Sequence, residues 1–350
     1  MTVQNETVRP HFLIIRLSSL GDIIHTLPAF ASLRENFPGA HITWLVEEKG
    51  HEILELVPGI DRVVTADLKQ VRLFSFRFFK RFIHLRNLIS RRNQTALDFQ
   101  GLMKSGIYAG ISRARKRFGF HPRNLKESGA RLFYTRTLDQ LPAFMHIIDK
   151  NLKLLSLAGI KETRCRFPLR FPGQLTADLS QKLAGTGYEP EQDLVVFNVG
   201  AAWKTKQWPA ERWIEVIRNL DHKEIFPLIL WGTGQEKELA QTIAGSTSGK
   251  LSPPLNLQEV LALLHRARLV VSGDTFALQA ACALNRPVVA LFGPTHPGRN
   301  GPFRKRDRVI FHSLDCSYCY KRKCREMTCM EKITASEVLA AVQEMLKKNV

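Results

Sequence analysis

Long apolar runs are absent from this 350-residue chain. Spanning a bilayer takes about 20 consecutive apolar residues, and the first apolar stretch, Phe12 to Ile15, is cut short by Arg16. A secretory core takes about 7 to 15, so no signal peptide is read and a cytoplasmic location is expected. Acidic residues are scarce: 32 Asp and Glu stand against 51 Lys and Arg, a formal charge of +19. Such an excess attracts nucleotides, nucleic acid or an anionic membrane surface. There are only six cysteines, and in a reducing compartment they are expected as thiols or metal ligands, not disulfides. Short-period repeats, low-complexity segments and the three-glycine dinucleotide spacing are all missing, and the last weighs against a nicotinamide enzyme. What remains, 44% hydrophobic and 24% charged, is an ordinary globular composition that rules out collagen-like and disordered chains. At roughly 150 residues per domain the length predicts two domains.

Short apolar strands alternate with helical patterns, which predicts parallel βαβ units. Phe12 to Leu17, Ile42 to Glu47 and Ala96 to Phe99 read as strands of a first domain, with a helix from the turn Ser18-Ser19-Leu20-Gly21-Asp22 to about Asn36. Between Pro168 and Pro190, scattered Pro and Gly loosen the pattern and mark a boundary at about 172 to 192. A second series follows. Strands are expected at Leu194 to Val199, Phe226 to Trp231, Leu269 to Ser272 and Val288 to Phe292. Helices are expected at Pro209 to Leu220, Glu236 to Ala244, Leu257 to His265, Thr275 to Leu284 and Ala335 to Lys348. The predicted fold class is α/β: two Rossmann-like doubly wound domains facing across a cleft, residues 1–172 and 173–330. Ligands are expected beyond the carboxyl ends of the strands.

Several residues at those strand ends are suited to chemistry. Gly21 permits an unusual backbone angle and close ligand approach, and the helix start beside it offers free N–H groups to an anion. Asp22 is placed to accept a proton from a substrate hydroxyl, although Asp is equally favoured there as a helix cap. Gly273-Asp274-Thr275 repeats the arrangement in the second domain, where backbone N–H groups and the Thr275 hydroxyl would hold a phosphate or simply cap a helix. Lys204-Thr205-Lys206-Gln207-Trp208-Pro209 offers two ammonium groups to a pyrophosphate; standing alone it would read as a solvated basic loop. Glu236 is placed to hold ribose hydroxyls or to complement its own helix dipole.

Taken in order, Ser18-Ser19-Leu20-Gly21-Asp22-Ile23-Ile24-His25-Thr26-Leu27-Pro28, Asp98-Phe99-Gln100-Gly101-Leu102-Met103-Lys104-Ser105, Lys206-Gln207-Trp208-Pro209, and Gly273-Asp274-Thr275 with Phe292-Gly293-Pro294-Thr295 resemble the heptosyltransferases of glycosyltransferase family 9. The blocks run from about residue 12 to 302. The resemblance implies a GT-B fold, with acceptor held by the first domain, nucleotide-sugar by the second, and residues 331–350 packing as a helix back on the N-terminal domain. It implies an inverting, metal-independent transferase that moves heptose from ADP-L-glycero-D-manno-heptose to the lipopolysaccharide inner core, with no cofactor required for the chemistry. Asp22 would be the general base. Lys206, Glu236, Asp274, Thr275 and Gln279 would bind the donor, and Ser19, Gly21, Gln100 and Lys104 the acceptor. The acceptor is lipid A-anchored, which implies work at the cytoplasmic face of the inner membrane as a peripheral protein. The family pattern after Asp-Thr continues with Gly and then His; here Phe276 and Gln279 stand there, which leaves open a same-fold transferase using another nucleotide-sugar, the other alternative being a catalytically silent protein that binds nucleotides or anionic glycolipid.

Two clusters remain. Eight cations and no acid lie between Lys69 and Ala96, around an apolar stripe Val71, Phe74, Phe78, Phe82, Leu85 and Ile89. Arg72, Arg77 and Lys80 are taken as acceptor contacts on a membrane-facing surface; the stripe itself reads more simply as core. A nucleic-acid groove is disfavoured because no recognition motif accompanies the charge. Cys316, Cys319, Cys324 and Cys329 carry enough thiolates for one structural zinc, with free thiols as the alternative.

Overall fold

The computed structural model describes residues 9–66, 76–90, 94–220, 224–304 and 306–347, with the backbone alone for 76–82. The chain divides into two compact units, Met1–Arg170 and Phe171–Val350.

The first unit runs β1 (His11–Ile15), α1 (Leu20–Asn36), β2 (His41–Val46), α2 (Glu48–Glu55), β3 (Arg62–Thr65), α3 (Phe76–Ile89), β4 (Gln94–Asp98), α4 (Met103–Ile111), β5 (Lys116–Gly119), β6 (Arg136–Thr137) and α5 (Ile147–Leu154). Its six strands are all parallel, in the order β3-β2-β1-β4-β5-β6. The central strand is a continuous apolar run because helices cover both sheet faces; Leu13, Ile14 and Ile15 are fully buried. Leu85 and Ile89 of α3 join the core with Leu13, Ile15 and Leu45, so this end of the apolar stripe is core packing. Arg72 lies outside the described residues, as do the side chains of Arg77 and Lys80.

The second unit runs α6 (Gly173–Ala184), β7 (Asp193–Asn198), α7 (Ala210–Arg218), β8 (Ile225–Leu230), α8 (Gly234–Gly245), β9 (Lys250–Leu251), α9 (Leu257–Arg266), β10 (Leu269–Gly273), α10 (Phe276–Ala283), β11 (Val288–Phe292), α11 (Pro297–Asn300), β12 (Arg308–Phe311), α12 (Thr328–Glu331) and α13 (Ala335–Lys347). Its sheet is again six parallel strands, β12-β11-β10-β7-β8-β9. Numbered within each unit, both sheets have the order 3-2-1-4-5-6. In such a sheet the chain reverses its winding beside the first strand, opening a crevice at the carboxyl ends of strands one and four. Those positions are β1 with β4, and β7 with β10.

The segment read as a loosened linker contains α6, which packs against α9. The surrounding Pro and Gly hide the four-residue spacing of Leu175, Leu179 and Leu183, of which the last two are buried. The C-terminal helix, read from the resemblance as packing on the N-terminal domain, lies within the second unit. Ala335, Val338, Val342 and Met345 of α13 belong to the second unit's own core with Trp213, Val216, Val271 and Val289. The reason is local: the carbonyl of Ile333 accepts from the Trp208 indole at 3.1 Å and from Arg212 at 2.9 Å, which sets the helix start over that core. Among the described residues no helix is long and apolar enough to cross a membrane.

Truncating the buried Met345 to Ala should lower stability by about 2–5 kcal/mol through the cavity left behind, read as an earlier denaturant midpoint. The exposed Gln343→Ala on the same helix should leave the midpoint where it is.

Candidate functional site

In the first unit the site is built where β1 ends. Arg16 is buried, 4% exposed, and a buried guanidinium requires acceptors. It donates to the carbonyls of Phe99 and Asp22 and forms an ion pair with Asp22 Oδ1 at 3.0 Å. The other carboxylate oxygen of Asp22 accepts from Ser19 N at 3.2 Å and Ser19 Oγ at 3.1 Å. Burial pulls the Asp22 carboxyl upward, but the Arg16 guanidinium, His25 and the Ser19 hydrogen bonds outweigh it and hold it below the usual carboxylate range. The side chain nevertheless stays 37% exposed. Asp22 is therefore an ionised carboxylate, fixed in place and open to solvent.

The neighbouring strand end supports it. Gln100, after β4, accepts at Oε1 from Leu17 N and Ser18 N at 3.0 and 3.1 Å, so its amide oxygen braces the β1 loop. Gly101 turns the chain at a φ of +70°, and a Cβ there would come within 2.8 Å of Leu125. Asp98 is fully buried, accepting from Gln100 N, Gly101 N and the Tyr134 hydroxyl; burial pushes its carboxyl up despite those donors. Lys104 on α4 pairs with Glu47 at 2.9 Å, and Glu47 N donates to Leu17 O, placing that pair at the same edge. Gly21 is not in the unusual conformation expected of it: it lies in the first turn of α1, where helical hydrogen bonding fixes the backbone.

In the second unit the loop after β7 meets the loop after β10. Trp208 is buried and stands edge-on to Trp213, centroids 4.8 Å apart, so it anchors the segment that carries Lys206. Lys206 Nζ donates to Asp274 Oδ2 at 2.7 Å and to Asp274 O at 3.0 Å. Thr295 donates to the same Oδ2 at 2.8 Å. Thr275 is the N-cap position of α10, with Oγ1 at 3.1 Å from Asn198 Nδ2 and 3.0 Å from Ser272 Oγ. One ammonium, one hydroxyl and the N–H groups of a helix start thus share one crevice, the composition of an anion cradle.

Two donor-site expectations change character. Gln279 is buried at 5% exposure, its amide directed to Asn300 O at 2.7 Å and Asp274 Oδ1 at 3.4 Å; it stands in the wall behind Asp274. Glu236 caps its own helix, Oε2 accepting from Gly232 N and Thr233 N at 2.9 Å each. Its Oε1 has no partner among the described residues. Gly200 lies so close that a Cβ there would be 2.5 Å from Glu236 Cδ.

The tetrathiolate zinc site is not formed. Among the described residues no three His, Cys, Asp or Glu side chains converge to hold a metal ion. Cys316, Cys319 and Cys324 are exposed, whereas Cys329 is half-buried against Gly293. Cys324 is served by backbone N–H groups of Met327 and Glu326, which lower its thiol pKa.

Sequence reasoning gave no role to Arg16, Asn198 and Ser272, and it quoted Thr295 within a motif without assigning it one. For Arg16 a signal existed: a lone cation ending a buried apolar strand, six residues before an acid.

Two six-stranded parallel sheets of the same doubly wound order, each with polar and charged side chains gathered at its crevice, define a protein of the GT-B class. The family model of glycosyltransferase family 9 (heptosyltransferase) matches residues 81–330, and the chain belongs to that family. It is 29% identical over 322 residues to lipopolysaccharide heptosyltransferase 1 of Pseudomonas aeruginosa, covering 89% of this chain and 86% of that protein. The Escherichia coli K12 enzyme of the same name is 28% identical, covering 85% and 92%. Among solved structures, E. coli heptosyltransferase WaaC with ADP superposes with a TM-score of 0.75 at 26% identity over 97% of this chain and 100% of that one. A family 9 glycosyl transferase from Veillonella parvula gives 0.81 at 21% identity over 97% of each.

The sign of the Asp22 perturbation is testable by a carboxyl NMR titration. Its pKa should lie below the ordinary 3.8, and Arg16→Met should raise it, because the largest favourable charge is removed while burial persists. The native pairing stabilises the fold above the unfolded-state pKa and is lost as pH falls through the folded one.

Proposed function

We propose that the chain transfers heptose from ADP-L-glycero-D-manno-heptose to the inner core of lipopolysaccharide, with inversion at the anomeric carbon. The observation that carries this reading is Asp22: an ionised, half-exposed carboxylate at the crevice of the first sheet, in a chain whose second crevice gathers Lys206, Thr275 and a helix N-terminus. The donor identity draws on the names of the relatives, several of them lipopolysaccharide heptosyltransferases, and on the solved WaaC complexes with ADP and with ADP-2-deoxy-2-fluoro heptose.

The chemistry follows from these groups. Asp22 takes the proton of the acceptor hydroxyl as that oxygen attacks the anomeric carbon from the face opposite the diphosphate. The glycosidic bond forms while the carbon–oxygen bond to the diphosphate breaks, and the electron pair leaves with it. The Lys206 ammonium and the N–H groups of α10 meet the charge that develops there. In this reading Glu236 meets the ribose hydroxyls through its free Oε1. Ser19 and Lys104 serve the acceptor side, and Gln100 contributes by bracing the β1 loop. The acceptor is an anionic glycolipid, and the net charge of +19 suits peripheral work at the cytoplasmic leaflet of the inner membrane.

Mass spectrometry of a heptose-free core acceptor incubated with ADP-heptose should show addition of one heptose. Asp22→Asn should cut turnover by about 10²–10⁴-fold, the usual contribution of a general base, with ADP affinity retained in calorimetry. Lys206→Ala should weaken ADP binding as well as turnover. Incorporation of a different sugar from a panel of nucleotide-sugars, with none from ADP-heptose, overturns the donor assignment.

A further inference from the structure

The segment between β12 and α12, residues 312–327, stands out in the sequence for its cysteines, yet its contacts point to the second unit's anion cradle. Thr205 Oγ1 donates to Lys321 O at 2.8 Å. Tyr320 N donates to Pro294 O at 3.1 Å, and the Tyr320 hydroxyl accepts from His296 N at 3.3 Å. The rings of His296 and Tyr318 lie 4.1 Å apart. The segment is therefore tied to the loop that carries Lys206 and to the turn that carries Thr295, the two groups that hold Asp274.

Arg322 comes next in this segment. Its guanidinium lies 5.0 Å from the centre of the Trp203 ring, the same ring that Lys206 Nζ approaches at 4.5 Å. Two cations gathered on one indole repel each other. Among the described residues no carboxylate lies within ion-pair distance of Arg322, and Lys321, Lys323 and Arg325 around it are also cationic. The charge of Lys206, by contrast, is already shared with Asp274. One half-neutralised ammonium is a poor match for a diphosphate, and a departing nucleoside diphosphate carries more negative charge than its sugar ester.

We propose that Arg322, docked on Trp203, is a second diphosphate-binding cation of the donor site. This rests on the second unit being the nucleotide-sugar site. Arginine suits the role, because its planar fork binds phosphate oxygens in pairs and its flat face stacks on an indole. A diphosphate bound between the two cations removes their mutual repulsion, so the ligand completes an arrangement that is electrostatically unfinished without it.

Calorimetry with ADP, GDP, UDP and adenosine tests this on the full chain. Arg322→Ala should weaken the bound diphosphates by about tenfold or more, as loss of a charge-assisted hydrogen bond does, and leave adenosine binding unchanged. Arg322→Lys should restore part of the loss, whereas Arg322→Gln should not. Unchanged diphosphate affinity in Arg322→Ala overturns the proposal, as does an equal loss for adenosine or full recovery by Gln. If diphosphates bind and the Arg322 effect holds while heptose is not transferred, the proposed activity fails and this inference stands. If wild type binds no diphosphate, both fail.

Discussion

A carboxylate taken out of water must be surrounded by donors or cations, and this constraint organises the strand ends of both sheets. Asp98 and Asp274 lie at or just past the end of a central strand and Asp22 in the helix turn that follows one, and each is held by donors gathered around that strand end. Asp98 draws in Tyr134 and the turn at Gly101. Asp274 draws in Lys206 from the loop after β7 and Thr295 from the turn after β11. Asp22 is held by Arg16 at the end of β1, whose guanidinium also reaches the loop after β4. The loops that would otherwise be the loosest parts of a doubly wound fold are thereby pinned to one another. Of the three, Asp22 is the one open to solvent, its side chain 37% exposed against 8% for Asp274 and a fully buried Asp98.

Much of the architecture was legible because the physics is local. Runs such as Leu194 to Phe197 can only be strands buried on both faces, and Pro209 and Asn256 mark helix starts by their own backbone chemistry. Asp22, Lys206, Asp274 and Thr275 were legible by position, since they follow strands that the alternation already places at a sheet's centre. The partners were not. Asn198, Ser272 and Thr295 are unremarkable polar residues until the parallel register of β7, β10 and β11 brings their loops together. Gln279 and Glu236 show the converse: residue type and position were right for a ligand contact, and tertiary geometry gave the first to the wall of the site and half of the second to a helix cap. The cysteines close in sequence are also neighbours in space, since Cys329 feels the charges of Cys316, Cys319 and Cys324, but spacing did not show how Tyr318 and Tyr320 among them meet His296.

The excess positive charge also divides on inspection. Arg34 donates to the carbonyls of Gly59, Pro38 and Ala40 and pairs with Asp61. Arg117 donates to Phe133 O and Ala114 O. Arg212 ties down the start of α13. These guanidinium groups act as multidentate staples for carbonyls that no strand or helix satisfies, so part of the net charge is architecture and not an address for anionic partners.

The geometry at Glu236 has one more consequence. A flexible glutamate that grips a sugar ordinarily gives up rotamer freedom at the moment of contact, and that loss subtracts from affinity. Here the carboxylate is clamped by its own helix on one oxygen and crowded by the bare backbone of Gly200 on the other side, so the freezing has already happened during folding. A partner meeting this carboxylate would carry almost no ordering penalty, and a bulkier residue at position 200 would displace the carboxylate from its clamp.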